Sequence, residues 1–225
     1  EWFTTNGTGR LQIDCGFRAQ GAASRNFGGQ PKNSFRLCFR GRYGNGSLAT
    51  SILDAADCPT ADFTTLILRA EYNNSWTHAD ATQRTRGSFV RDQFVRDIFR
   101  EMGQPGAYGT EVHLFLNGYY WGLYNLCERP DAEYAVTYYG GTKDEWDVIK
   151  SKAEVRDGEK LAWNIMYTVS SGTLSTAAGY GQLTNLLEES RQEMTLYRTV
   201  QLLFAALAAV FFAVSVGLAV SGTAR

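Results

Sequence analysis

Between Lys32 and Phe39 the chain alternates strictly between two sets of side chains. A period of two predicts a half-buried strand. The alternation assigns Asn33, Phe35, Leu37 and Phe39 to the core and lines Lys32, Ser34, Arg36 and Cys38 along the opposite face, so that two cations share one surface. A second strand, Thr64 to Ala70, directs Leu66 and Leu68 to one face and ends near Arg69. The polar stretch that follows, Glu71 to Gly87, reads as a loop outside the core.

After Ser88, a plausible N-cap, the period changes. Val90, Phe94, Val95, Ile98, Phe99 and Met102 recur at three-and-four spacing until Gly103 and Pro105 stop the pattern, which predicts a helix. Its other face carries Arg91, Asp92, Arg96, Asp97 and Arg100, the composition of a solvated surface with i,i+4 pairing. Glu111 to Leu116 and Tyr119 to Cys127 flank Asn117-Gly118, a dipeptide suited to the two positive φ angles of a type I′ turn, so a β-hairpin is expected. Pro130 and Gly140-Gly141 bracket a short helix. Asp157 can cap another that runs through Leu161, Ile165, Met166 and Val169. Strands and helices that cluster in this way predict an α+β fold with an antiparallel sheet and packed helices.

From Thr199 to Ala224 no residue is charged, and the Leu202 to Val220 core approaches the ~20 residues that cross ~30 Å of hydrocarbon. A C-terminal transmembrane helix is therefore expected. A buried core helix is the weaker alternative, since a helix apolar on every face needs protein around it. Arg191 and Arg198 precede the run and Arg225 follows it, a bias that leans toward a cytoplasmic N-terminal side and leaves topology open. The expected organisation is a globular domain over 1–187, a linker over 188–198 and a span over 199–224.

Composition narrows the chemistry. The 225 residues are 44% hydrophobic with a formal net charge of -1, enough for a core and without the basic excess of a nucleic-acid binder. The first residues, Glu1-Trp2-Phe3-Thr4, read as the product of signal-peptide removal or as part of a longer chain. Cys15, Cys38, Cys58 and Cys127 lack C-x-x-C spacing; two disulfides and four buried thiols fit equally. Asn6-Gly7-Thr8, Asn45-Gly46-Ser47 and Asn73-Asn74-Ser75 have the form of glycosylation sequons and are read as turns. With only His78 and His113, histidine-centred hydrolysis or metal ligation has little material.

Three stretches carry a resemblance. They are Gly21-Ala22-Ala23-Ser24-Arg25-Asn26 running into Pro31-Lys32-Asn33-Ser34-Phe35-Arg36-Leu37, the Arg91-Asp92-Gln93 helix, and Leu116-Asn117-Gly118-Tyr119-Tyr120-Trp121-Gly122-Leu123-Tyr124-Asn125-Leu126-Cys127-Glu128-Arg129. With Asp147-Val148-Ile149-Lys150 and Glu154-Val155-Arg156-Asp157-Gly158, their order and spacing resemble the CotH (spore coat protein H) family of atypical protein kinases, over roughly residues 1 to 187. The resemblance implies a partial protein-kinase-like fold, ATP as phosphoryl donor, a divalent cation such as Mg, and serine or threonine side chains of a protein substrate as acceptors. It also implies an origin at a bacterial cell surface or in secretion.

Phosphoryl transfer needs cations on the phosphates and carboxylates on the metal. On that logic Lys32 and Arg36 are candidates for phosphate contacts, Asp92 or Asp97 for their ion-pair partner, and Glu128 with Arg129 for the border of an adenine pocket. Solvated strand cations and a strand-end salt bridge are the alternatives. The later carboxylates of the family have no match here. Asp144, Asp147, Glu154 and Asp157 are read as caps and surface groups, and catalytic residues stay unassigned. The leading expectation is the nucleotide-binding part of a CotH-like kinase without its catalytic half. The alternatives are a membrane-anchored, non-catalytic binding or adhesion module and a truncated or misassembled gene product.

Overall fold

The computed structural model describes residues 1–4, 7–21, 25, 32–53, 58–172, 174 and 176–193. The chain divides into two compact units, Glu1–Arg129 and Pro130–Arg225.

The first unit begins with β1 (Trp2–Phe3) and β2 (Arg10–Leu11), followed by β3 (Gly16–Gln20), β4 (Ser34–Cys38), β5 (Leu48–Ala49), β6 (Asp62–Phe63) and β7 (Thr65–Arg69). Helices α1 (Ala81–Thr85) and α2 (Arg91–Glu101) precede the hairpin of β8 (Gly109–Leu116) and β9 (Tyr119–Glu128). Strands β3-β4-β7-β9-β8 form one antiparallel sheet. Asn117 and Gly118 have φ of 50° and 81°, the two positive angles that the hairpin turn requires.

Register sets what each sheet face carries. Arg36 pairs with Ile67, Ile67 with Cys127, and two residues along Arg69 pairs with Asn125 and Asn125 with Glu111. Side chains alternate along a strand, so these residues share one face. Phe35, Leu68 and Leu126 share the other. The predicted core face of β4 is only partly right. Phe35 and Leu37 are half-buried, with Phe35 stacked on the exposed Phe17 ring at 4.5 Å, whereas Arg36 and Cys38 are buried. Both faces of the strand are covered, a condition that period-two patterning cannot distinguish from a half-buried strand.

The orientation of α2 differs more sharply from expectation. Val90, Phe94, Val95, Ile98 and Met102, predicted to face the core, are exposed. Its polar side meets the sheet instead: Arg96 donates to Asn125 Oδ1, and Asn125 Nδ2 donates to Gln93 Oε1 at 3.0 Å. The cause lies in the sheet, whose facing surface carries Arg69, Asn125 and Glu111. Buried polar groups there must find partners, and only the polar side of the helix has them. Val90 occupies the cap position without a side-chain bond, and Ser88 contributes only its carbonyl, which accepts from Arg91 N. Gly103, at φ 74°, ends the helix by donating to Arg100 O, with Gln104 N bonded to Phe99 O. The stretch read as a loop holds a 3-10 turn, Tyr72–Asn74, and α1, and buries Glu71 and Ser75.

In the second unit α3 (Ala132–Tyr139) is followed by the hairpin of β10 (Val148–Lys150) and β11 (Glu154–Asp157), then α4 (Leu161–Gly172) and α5 (Ala177–Glu193). Its small core gathers Ala132, Ala135, Trp146 and Val148. Asp131, one residue after Pro130, caps α3 by accepting from Tyr134 N. Asp157 does not cap α4 as predicted; its carboxylate accepts from Ala132 N in the first turn of α3 at 3.3 Å. Cys38 and Cys127 are buried thiols, and Cys58 Sγ lies 3.3 Å from Thr60 O. Among the described residues no helix is long and apolar enough to cross a membrane. The predicted linker from Met194 on and the predicted span over 199–224 lie outside those residues.

Candidate functional site

Arg69 ends β7 on the sheet face that α2 covers. Its Nε lies 2.9 Å from Asp92 Oδ2 on α2 and 3.5 Å from Glu71 Oε1, while Arg96 approaches Asp92 at 3.5 Å. Arg69 Nε, Glu71 Oε1 and Asp92 Oδ2 are all shielded from solvent, so their charges are met by one another as ion pairs. Glu71 takes a left-handed backbone, φ 53° and ψ 50°, a conformation that costs a non-glycine residue on the order of 1 kcal/mol. Burial pushes its carboxyl above the ordinary range, with Arg69 opposing. Burial raises the Glu111 carboxyl in the same way, against its bond from Asn125.

Arg69, Glu71, Gln20, Ser34, Asn73 and Asn74 border a cleft of about 270 Å³. Strained backbone beside a buried cluster of paired charges marks this cleft as the candidate ligand site.

Of the residues singled out from sequence, Asp92 is part of this cluster and Arg36 reaches the cleft through Gln20. Lys32 precedes β4, so the alternation does not extend to it. Its ammonium donates to Leu123 O and lies 4.5 Å from the centroid of the Phe89 ring and 4.2 Å from that of Tyr124. Burial lowers its pKa from 10.5 to about 8, with Glu111 and Glu71 pulling the other way. Arg36 is buried and donates from Nε to Gln20 Oε1 at 3.0 Å. Asp92 pairs with Arg69 and Arg96, and Asp97 with Arg100 at 2.7 Å, so neither helix carboxylate forms its ion pair with Lys32 or Arg36. Glu128 is buried and accepts from Tyr108 N at 2.9 Å, a bracket at the end of the hairpin. His113 Nδ1 lies 2.9 Å from Tyr120 Oη, and His78 Nδ1 accepts from Asp80 N.

Sequence reasoning missed Arg69 and Glu71. Their signal is faint: two ionisable residues spaced i,i+2 where an apolar strand stops. Asp92 was noticed, but for a different partner.

A model of the CotH kinase protein family matches residues 17–194, from β3 to just past the end of α5. No curated protein matches the chain.

Proposed function

The chain belongs to the CotH kinase protein family, and from that premise we propose that its first unit is the nucleotide-binding part of an ATP-dependent kinase acting on serine or threonine side chains of proteins. The observation that carries this reading is the Arg69–Asp92 pair. Protein kinases require an ion pair between a cation on the third strand of the sheet and a carboxylate on the following helix. In chain order β3, β4 and β7 are the first three strands of the five-stranded sheet, Arg69 closes the third, Asp92 is on α2, and the β8–β9 hairpin follows.

ATP suits the cleft, because Arg69 borders it with a partly exposed side chain, so that its guanidinium can meet a phosphate oxygen while its Nε faces Asp92. When bound, ATP supplies the γ-phosphoryl group that an acceptor hydroxyl attacks. Arg69 would hold phosphate, and Asp92, itself held by Arg96, would aim Arg69. A divalent cation accompanies ATP in this chemistry; among the described residues no group of three His, Cys, Asp or Glu could hold it, so the phosphates themselves would supply part of its coordination. The work assigned to this site is therefore binding and orientation.

Calorimetric titration of the chain with ATP, with and without magnesium, tests the proposal. Saturable binding that Arg69→Ala weakens supports it; an unresponsive, folded wild-type chain rejects it. A second reading, a non-catalytic adhesion module, is favoured by one observation: Phe115, Tyr119, Tyr120 and Trp121 at the hairpin end are all exposed. That reading predicts no response to nucleotide. We also propose that the apolar run over 199–224 anchors the chain in a membrane, with the globular part at a bacterial cell surface and a protein as substrate or surface partner.

A further inference from the structure

Three adjacent strands bring one polar side chain each to the same end of one sheet face. Gln20 closes β3, Ser34 opens β4 as its register partner, and Arg69 closes β7. Arg36 pairs with Ile67, and Ser34 and Arg69 each lie two residues from that pair, so the alternation keeps them all on one side. Gln20, Ser34 and Arg69 border the cleft. What each can offer there follows from what it already holds. Arginine has no acceptor. The Gln20 atom that meets Arg36 Nε at 3.0 Å, and also its Nη2, is therefore the carbonyl Oε1, and the amide NH2 is left for the cleft. Ala70 N donates to Ser34 Oγ at 2.9 Å, which leaves the hydroxyl proton. Arg69 turns Nε to Asp92 and is partly exposed. Glu71, by contrast, is buried against Arg69, and Asn74 turns Oδ1 to Arg91 and Nδ2 to Glu71.

The row thus presents donors, one of them cationic, and no acceptor. Its complement is a ligand part that is anionic and accepts at every atom, which is the chemistry of a phosphate chain. Adenine and ribose carry donors as well as acceptors, so the phosphates are the part of a nucleotide that fits. We propose that Gln20 and Ser34 are phosphate-binding residues that extend the Arg69 site across β3, β4 and β7, and that Arg36 is a positioning residue that acts through Gln20. Arg36 fixes the amide of Gln20 with its NH2 toward the cleft, and so serves the phosphates at one remove, where the sequence pointed to a direct contact. The assignment rests on the nucleotide-binding reading above and deepens it by naming which side chains meet which part of the ligand.

The test is calorimetric titration of the full chain in detergent with ATP, inorganic triphosphate and adenosine, repeated on Gln20→Met and Ser34→Ala. A hydrogen bond to a charged acceptor is worth about tenfold in affinity or more. Each variant should therefore bind ATP and triphosphate about tenfold more weakly than wild type and leave adenosine unchanged. Should either fail to fold by circular dichroism, Gln20→Glu takes its place: it keeps an acceptor for Arg36 and turns the cleft-facing group from donor to acceptor, with the same expected loss. Folded variants that bind triphosphate as wild type does, while Arg69→Ala does not, overturn the assignment of Gln20 and Ser34 and leave the nucleotide-binding reading standing. Adenosine weakened as much as ATP overturns it too, since the contact would then be to base or sugar. A folded wild-type chain that binds neither ATP nor triphosphate overturns both readings. A double-variant cycle reads the part of Arg36. Arg36→Met, or Arg36→Lys if the first does not fold, should weaken triphosphate binding about threefold or more in the wild-type background and not at all in Gln20→Met. Equal effects in the two backgrounds, nil included, overturn the positioning role.

Discussion

Arg69 Nε lies 2.9 Å from Asp92 Oδ2, joining the end of β7 to the first turn of α2. Arg69 is partly exposed and Asp92 less so, hence solvent screens the pair and its contribution to folding is modest. Asp92→Asn should therefore cost only about 1–2 kcal/mol in chemical denaturation, since Glu71 remains beside the guanidinium. Its effect on nucleotide should be larger, about tenfold in dissociation constant, because Arg69 loses the group that aims it. A variant that melts like wild type and binds ATP equally well would remove the pair from the site.

The reversed orientation of α2 leads to a second expectation. Phe94 and Ile98 are 61% and 41% exposed, so Phe94→Ser or Ile98→Ser should change stability by no more than about 0.5 kcal/mol. Arg96 donates to Gln93 and Asn125 and faces Asp92, so Arg96→Ala leaves several buried partners unmatched and should cost about 2–4 kcal/mol. Urea denaturation of the three variants decides this. The opposite ranking would place the apolar stripe against the sheet after all.

This helix also shows where reading the sequence stops. The hairpin was legible because Asn117-Gly118 is a local signal with one geometric solution. The existence and the C-terminal end of α2 were legible because Gly103 stops it chemically. Its facing direction was not, because a helical period shows that a helix has two faces without showing which one a neighbouring surface demands. That demand comes from Arg69, Asn125 and Glu111, brought side by side by strands far apart in the chain. The direction of Lys32 was not legible for a related reason: the alternation counts only inside β4, which begins at Ser34. The Arg69–Asp92 pair spans two elements and has no periodic signature at all.

Two groups give the folded chain a pH dependence of known sign. The Lys32 pKa is lowered to about 8 by burial, so its contribution to stability is present above the unfolded value of 10.5 and is lost as pH falls through about 8. Burial raises Asp131 from 3.8 to about 6, with the Tyr134 amide opposing; its contribution is present below 3.8 and is lost as pH rises through about 6. Urea midpoints against pH should rise between about 8 and 10.5 and fall between about 3.8 and 6 on these accounts. Lys32→Met should flatten the first slope and Asp131→Asn the second. Unchanged slopes in both variants would contradict the burial of these groups.

The charge-free run from Thr199 to Ala224 gives a fourth prediction. Such a stretch is favoured in hydrocarbon and poorly tolerated in water. After alkaline carbonate washing of membranes the full chain should stay in the pellet, and a chain ending at Glu193 should be released. Release of the full chain as a monomer would overturn the membrane anchor.

The last prediction concerns turnover. In-line phosphoryl transfer needs a carboxylate that holds metal against the phosphates and a second group that positions the acceptor hydroxyl. Of the four carboxylates of the second unit that sequence singled out, two are engaged with the backbone and one with a lysine: Asp147 Oδ1 accepts from Glu159 N at 2.7 Å, Asp157 Oδ2 from Ala132 N at 3.3 Å, and Glu154 faces Lys150 at 2.8 Å. Near the cleft, Asp92 and Glu71 face arginines. With these groups occupied, this chain should bind ATP and transfer little of it. The assay is purified chain in detergent with labelled ATP, magnesium, manganese or calcium, and a serine-rich acceptor protein, beside an active family member as control. Binding without incorporation is the expected result. Incorporation comparable to the control and abolished by Asp147→Asn or Asp157→Asn, with the melting temperature unchanged, would show that carboxylates bound here to backbone amides turn to the metal when nucleotide arrives.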